Sequence, residues 1–233
     1  MTAFITGVAG FVGVNLAKAL LARGRRVAGF DNLSRGTRRN LTTVLRHPNF
    51  SFEAIDLSDI GAYRAALEAV HGRAPVEEVW HMAANSDIPG GIVDPRVDLR
   101  DTFMTTFNTL LLMRGLGIGT IACAASSAVY GDLGDAALRE DTGPLFPISN
   151  YGAMKLASEG VISAALEIHL TSAYIFRFPN VIGTPATHGA IFDFVRKLKA
   201  TPDNLDVLGD GSQRKSYLHV EDLVDAMLFI RDQ

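Results

Sequence analysis

A short apolar run near the amino end, Ala3-Phe4-Ile5, leads through Thr6 into Gly7-Val8-Ala9-Gly10-Phe11-Val12-Gly13 and then into Val14-Asn15-Leu16-Ala17-Lys18-Ala19-Leu20-Leu21. Strand, glycine turn and helix in that order leave the chain few folds to choose from. Gly7 permits a tight turn, Gly10 lets a pyrophosphate approach the backbone, and Gly13 lets helix and strand pack closely. The start of the helix offers free N–H donors and the positive end of its dipole to phosphates. A glycine triplet alone is weak evidence. Here a second strand follows, Arg26-Val27-Ala28-Gly29-Phe30, and it ends at Asp31. A carboxylate at that distance can accept from both hydroxyls of an adenosine ribose. The segment therefore reads as a dinucleotide-binding unit. Asp31 favours NAD, because it would repel a 2′-phosphate. Arg35, Arg38 and Arg39 lie just beyond and could in principle receive that phosphate, but are expected to be solvated or to lie along the adenine.

Further strands are predicted at 50–55, 76–81, 120–125 and 173–178, with helical patterns at 62–70, 98–114 and 151–166. Strands alternating with helices point to an α/β fold, a doubly wound parallel sheet of the Rossmann type. Ligands gather at the carboxyl ends of such strands, and Gly7, Asp31, Asp56, Ala83, Ser126 and Asn180 all follow predicted strand ends. Residues 1–178 are expected to form the NAD-binding domain. Beyond Phe178 the pattern loosens, then predicts a helix at 190–198 and a strand at 205–208. Residues 179–218 are assigned to a small, incomplete substrate-binding region, and the helix in 219–233 is expected to return to the first domain.

Composition narrows the class. The chain has 233 residues, 48% of them hydrophobic and 20% charged, which suits one substantial core. A net charge of −3 with basic clusters balanced by acids gives no reason to expect nucleic acid. A single cysteine, Cys123, sits in a predicted core strand, so a disulfide framework is excluded. No signal peptide and no apolar run of bilayer length is seen, so a cytoplasmic protein without membrane contact is expected.

Chemistry enters with Ser149-Asn150-Tyr151-Gly152-Ala153-Met154-Lys155 and with Ser126, which closes the run Ile121-Ala122-Cys123-Ala124-Ala125. Tyr151 and Lys155 are four apart, so on a helix their side chains share a face. An ammonium held there favours the ionised phenol, which makes tyrosine a usable base near neutral pH. An isolated pair of this spacing is more often just an exposed helix face; the glycine turn changes that reading.

Taken together, these motifs resemble an extended short-chain dehydrogenase/reductase, closest to the NAD-dependent nucleotide-sugar epimerases of the UDP-glucose/UDP-galactose 4-epimerase kind. The residues that carry the likeness are the Thr6 to Gly13 turn, Asp31-Asn32-Leu33-Ser34, Asp56-Leu57, His81-Met82-Ala83-Ala84, Ser126 to Gly131, the Tyr151/Lys155 pair and Arg177-Phe178-Pro179-Asn180. The resemblance implies that Gly7, Gly10, Phe11, Val12 and Gly13 cradle the pyrophosphate of NAD. It places Asp31 and Asn32 on the adenosine ribose, Asp56 and Leu57 at the adenine edge, and Ala83 and Ala84 beside the nicotinamide. Lys155 would bind the nicotinamide ribose and acidify Tyr151. Ser126, or Ser127 as the alternative, would hydrogen-bond the sugar hydroxyl, and Asn180 with Arg214 or Lys215 would face the sugar diphosphate. The implied reaction is transient oxidation at C4 and return of hydride to the opposite face, with a UDP-hexose as substrate. Family dehydratases usually carry acids directly after the serine; Ser127 and Ala128 stand there instead, which favours an epimerase. A dehydratase, a 2-epimerase and a non-catalytic NAD-binding regulator are the alternatives.

Some positions depart from the family pattern. Thr102 stands where an asparagine is usual, and Lys215 where an arginine is usual, with Arg214 next to it. Relatives are also expected to continue beyond the position of Gln233, completing the substrate lobe. His81 is expected to be a packed, hydrogen-bonded residue, and His188 and His219 are isolated, so no metal site is predicted. Asp94, Asp98 and Asp101 are read as helix-start acids. Trp80 and Cys123 read as core, and Phe103, Phe107, Leu110 and Leu111 as helix packing. The 98–114 and 151–166 helices are expected to form a homodimer contact.

Overall fold

The computed structural model describes residues 2–134, 136–186, 189–207, 209–212 and 214–233. The first strand, β1 (Thr2–Thr6), is buried on both faces, as its unbroken apolar run requires. The helix α1 (Phe11–Ala22) leads to β2 (Arg26–Asp31), and the chain continues through β3 (Phe50–Ala54), α2 (Ile60–Arg73) and β4 (Val76–His81). Two short helices follow, α3 (Ile88–Val93) and α4 (Pro95–Asp98), then α5 (Thr105–Leu116), β5 (Thr120–Ala124), α6 (Asn150–Ile168) and β6 (Ser172–Phe176). The six strands form one parallel sheet in the order β3-β2-β1-β4-β5-β6. The chain runs outward from β1 to β3, then returns to β4 on the other side. A crevice opens where the order reverses, at the carboxyl ends of β1 and β4.

Alternate residues of β1 serve opposite layers. Ala3 and Ile5 pack with Val14, Leu16, Ala17 and Leu20 of α1, whereas Phe4 packs with Tyr63 and Leu67 of α2. Side-chain caps set helix starts: Asp59 accepts from the N–H groups of Gly61 and Ala62, and Ser149 from that of Gly152 at 3.0 Å. Gly117, with φ of 68°, ends α5 in the left-handed conformation.

The helix predicted over 98–114 is interrupted by a π-helical turn at Leu99–Met104. Side chains reach back onto its carbonyls: Thr105 Oγ1 donates to Asp101 O at 3.0 Å and Thr106 Oγ1 to Thr102 O at 2.9 Å. After β6 come β7 (Asn180–Ile182), α7 (Ala190–Ala200), β8 (Tyr217–His219) and α8 (Val220–Arg231). The strand expected at 205–208 is corrected: residues 205–207 form no strand, and Leu208 lies outside the described residues. The ladder is instead a parallel pair of β7 and β8. Lys197 Nζ donates to Asp206 O at 2.7 Å, so the 205–207 segment is tied back to α7. Val220, Leu223, Val224, Met227 and Leu228 of α8 join the core layer of α1.

Candidate active site

The crevice is floored by the glycine turn. Gly7 has φ of 67° and donates to Phe30 O at 2.8 Å. A Cβ on Gly7 would lie 2.8 Å from Ala83 Cα, and one on Gly13 would lie 2.3 Å from Gly7 O. Gly7 thus lets the turn sit against β4's exit, and Gly13 lets α1 sit on the turn. Gly10 precedes α1 with no side chain capping it, and Phe11 and Val12, half-buried, begin the first turn. A backbone turn with glycine at three positions, leading into a helix start with no side-chain cap, fits a pyrophosphate.

Asp31 is 7% exposed and already engaged within the fold. Its Oδ2 accepts from Ala9 N at 3.0 Å and its Oδ1 from Leu33 N at 2.8 Å. The carboxylate therefore fastens the glycine turn to the loop after β2. Burial raises its pKa above the usual carboxylate value, opposed by the N–H groups of Leu33, Ala9 and Gly10. Asn32 is exposed, its Oδ1 taken by the N–H and hydroxyl of Ser34. Asp56 is likewise exposed and holds Ser58, while Leu57 is buried and its carbonyl accepts from Asn108 Nδ2 at 2.9 Å. Ala83 N donates to Thr6 Oγ1 at 3.2 Å, and Ala84 lines a cavity of about 270 Å³ beside the crevice.

At the far side of β4, the start of α6 packs on the turn after β5. A Cβ on Gly152 would lie 2.6 Å from Ala128 O, so glycine there permits the contact. Ser126 Oγ accepts from Ala128 N at 3.1 Å, and Ser127 N donates to Phe178 O at 3.3 Å. Lys155 is 3% exposed; its Nζ donates to Ala124 O at 2.6 Å and lies 5.9 Å from the centroid of the Tyr151 ring. Serine, tyrosine and lysine thus come from two adjoining segments at one end of the sheet. Asn180 is exposed at the start of β7, and its Nδ2 donates to Ser216 O at 3.2 Å. Arg214 and Lys215 are exposed on the loop before β8; the contact through Ser216 brings Asn180 to that loop.

His81 is fully buried between Thr6 and Thr106, with Nδ1 2.9 Å from Thr6 Oγ1 and Nε2 3.0 Å from Thr106 Oγ1. Thr6 Oγ1 already accepts from Ala83 N, and Thr106 Oγ1 donates to Thr102 O. A consistent assignment has Thr6 donating to Nδ1 and Nε2–H donating to Thr106. Burial, then the nearby Lys155 cation, lowers the imidazole pKa to about 3. Thr102 is buried, and its Oγ1 accepts from Asn85 N at 3.1 Å, tying the π turn to the loop after β4. Burial pushes the Cys123 thiol up to about 11, in keeping with a core residue. His219 caps α8 by accepting from Glu221 N; His188 lies outside the described residues. Asp94 accepts from Arg96 N as a helix-start acid; Asp98 and Asp101 also stand in first turns, Asp98 buried and accepting from Asn85 Nδ2 at 2.8 Å, Asp101 paired with Arg100. Leu110 packs in the core and Phe107 stacks on Phe103 with ring centroids 6.1 Å apart, while Phe107 and Leu111 remain partly exposed to solvent.

Several contacts are not legible in the sequence. Arg35 Nη1 lies 3.0 Å from Asp87 Oδ2, joining the loops after β2 and β4 across the crevice. The guanidinium of Arg38 lies 5.4 Å from the centroid of Phe52. Asn15 Nδ2 donates to Thr184 O at 2.9 Å, linking α1 to the segment after β7. Asp87 carried a readable signal, an acid two residues before a proline at a helix start.

The strand order, the glycine cradle and the Tyr151/Lys155 helix define a dinucleotide-dependent Rossmann enzyme. Over residues 3–233 the chain belongs to the NAD-dependent epimerase/dehydratase family, and its cofactor is accordingly NAD. It is similar to the UDP-glucose 4-epimerase of Mycolicibacterium smegmatis, 28% identical over 232 residues that cover 98% of this chain and 72% of that protein. A crystal structure of a UDP-galactose 4-epimerase superposes with a TM-score of 0.85 at 33% identity, covering 100% of this chain and 72% of that one. The dTDP-glucose 4,6-dehydratase double mutant of Streptomyces venezuelae, solved with NAD, superposes with a TM-score of 0.89 at 27% identity, again over 100% of this chain and 72% of that one. The family acts on nucleotide sugars; both epimerases and dehydratases are among these relatives. No helix among the described residues is long and apolar enough to cross a membrane, and none of their His, Cys, Asp and Glu side chains cluster as a metal site.

Proposed function

We propose that this chain is a nucleotide-sugar 4-epimerase acting on a UDP-hexose, UDP-glucose and UDP-galactose being the favoured pair. The observation that carries the reading is the packing of Gly152 on Ala128, which joins Tyr151 and Lys155 to a serine turn that holds no acid. When bound, NAD supplies reversible hydride acceptance at the sugar carbon. The residues to hold it are the glycine turn at the pyrophosphate, Asp31 and Asn32 at the adenosine ribose, Asp56 and Leu57 at the adenine, Ala83 and Ala84 beside the nicotinamide, and Lys155 at the second ribose.

The rest of the chemistry is proton handling. Tyr151 takes the proton of the sugar 4-hydroxyl and later gives it back, so no net acid or base is consumed. Lys155 is anchored by a backbone carbonyl, which fixes one of its three N–H bonds and leaves a buried cation beside the Tyr151 ring. Ser126 Oγ accepts from Ala128 N, which leaves its O–H free to donate to the sugar oxygen. Elimination of water would need an acid next to that serine; Ser127 and Ala128 supply none. Asn180, Arg214 and Lys215 are assigned to the diphosphate. The exposed Phe107 and Leu111 of α5 are the surface we assign to a homodimer, and a cytoplasmic location goes with this reading.

The test is conversion of UDP-glucose to UDP-galactose by the purified protein, with bound NAD measured separately. Tyr151→Phe should lower turnover by roughly 10²–10⁴-fold while NAD stays bound. Near-normal epimerisation by that variant would remove Tyr151 from the chemistry, and release of UDP-4-keto-6-deoxyhexose would identify a dehydratase.

A further inference from the structure

Chains that take NADP place an arginine near the end of the second strand to receive the 2′-phosphate. This chain has one in position, Arg35, four residues beyond the ribose acid Asp31. Its guanidinium is engaged elsewhere, 3.0 Å from Asp87 Oδ2. The loop geometry favours that pairing. Leu33 takes a φ of 60° and donates to Asp31 Oδ1, Ser34 folds onto Asn32, and a Cβ on Gly36 would lie 2.7 Å from the backbone of Ala9. The loop is thus drawn down on the glycine turn with Arg35 directed across to the exit of β4.

The surrounding charge is balanced. The cavity of about 270 Å³ at this point is lined by two guanidiniums, Arg35 and Arg100, and by two carboxylates, Asp87 and Asp101. Each arginine is paired with one of those acids, Arg100 with Asp101 at 2.6 Å. An added phosphate dianion would meet no unpaired cation on this wall and two like charges.

We propose that Asp87 is a cofactor-specificity residue: by holding Arg35 it withholds from the 2′-phosphate of NADP the loop arginine nearest to Asp31 in the chain, and so reinforces the choice of NAD made at Asp31. This depends on the dinucleotide binding in the crevice and on no property of the sugar substrate.

Asp87→Asn tests it with little disturbance. Asp87 Oδ1 caps α3 by accepting from Gly90 N at 3.0 Å, and asparagine caps as well as aspartate. Cofactor-free protein is titrated calorimetrically with NAD and with NADP. The released ion pair is exposed, both side chains being about 40% accessible, so the gain is modest: NADP affinity should rise about two- to fivefold relative to NAD. Adding Arg35→Gln to Asp87→Asn should cancel the gain, and raising the salt should shrink it. An unchanged NAD/NADP ratio in Asp87→Asn overturns the proposal. So does a gain that survives Arg35→Gln, because the freed arginine would then not be the recipient.

Discussion

A Cβ at Gly13 would meet three backbone atoms, Gly7 O at 2.3 Å, Val8 Cα at 2.9 Å and Gly7 C at 3.0 Å, so none can yield without moving the turn or α1. At Gly10 the nearest atom is Gly7 O at 3.1 Å, a milder contact on the ligand side. Gly13→Ala should therefore cost about 1–3 kcal/mol of stability as well as NAD affinity, while Gly10→Ala should cost mainly affinity; denaturant midpoints and NAD titration separate the two. His81 makes a pH prediction. Unfolded, its imidazole binds a proton below about 6.5; folded, it stays neutral down to about 3. Unfolding thus takes up a proton across that window, and stability present above pH 6.5 is lost as pH falls toward 3. The slope is about 1.4 kcal/mol per pH unit for one proton, and His81→Gln should flatten it in urea melts between pH 6.5 and 5. The packed role of His81 was legible from its place at a strand end next to alanines. Its partners were not, because Thr6 and Thr106 are 100 residues apart in sequence.

Between elements, Arg177 does the joining at the end of β6. Its Nε and Nη2 donate to the Glu159 carboxylate of α6, the shortest contact being 2.7 Å, and its guanidinium lies 5.1 Å from the centroid of Tyr130. The Glu159 partner, then Tyr130, holds the arginine pKa above its ordinary value despite some burial. Since the Glu159 side chain is only 7% exposed, Arg177→Met would strand a buried carboxylate and should cost about 3 kcal/mol, measured by thermal or urea unfolding. Glu159→Gln in the same background should recover part of it. Nothing in the sequence pairs Arg177 with Glu159, since an ion pair has no period. Helix and strand periods, by contrast, locate α2, α6, the end of α5 and β1 to β6 to within a few residues. They failed at 205–207, where local apolar spacing mimicked a strand and the segment instead lies tied to α7 through Lys197 and Asp206. They also missed the short β7 and β8, whose three residues each carry too little pattern to read.

For the molecule as a whole, the last helix completes the first layer. Met227 of α8 is fully buried in the cluster that holds Ala3, Ile5, Leu16 and Leu20. Met227→Ala should cost about 2–5 kcal/mol, read from urea midpoints, although the residue is remote from the crevice. Glu78 makes the same closure with charge, bridging Arg25 before β2 and Arg231 at the end of α8. Taken alone, the order of residues determined the parallel sheet, the glycine turn, the acid that ends β2 and the tyrosine–lysine face, because each depends on spacings of a few residues along one strand, turn or helix. Which groups meet across the crevice was decided by the tertiary structure. Asp31 holding the glycine turn, Asp87 holding Arg35, and Thr102 holding Asn85 all depend on loops that the sheet order brings side by side, and no local period in the chain records that order.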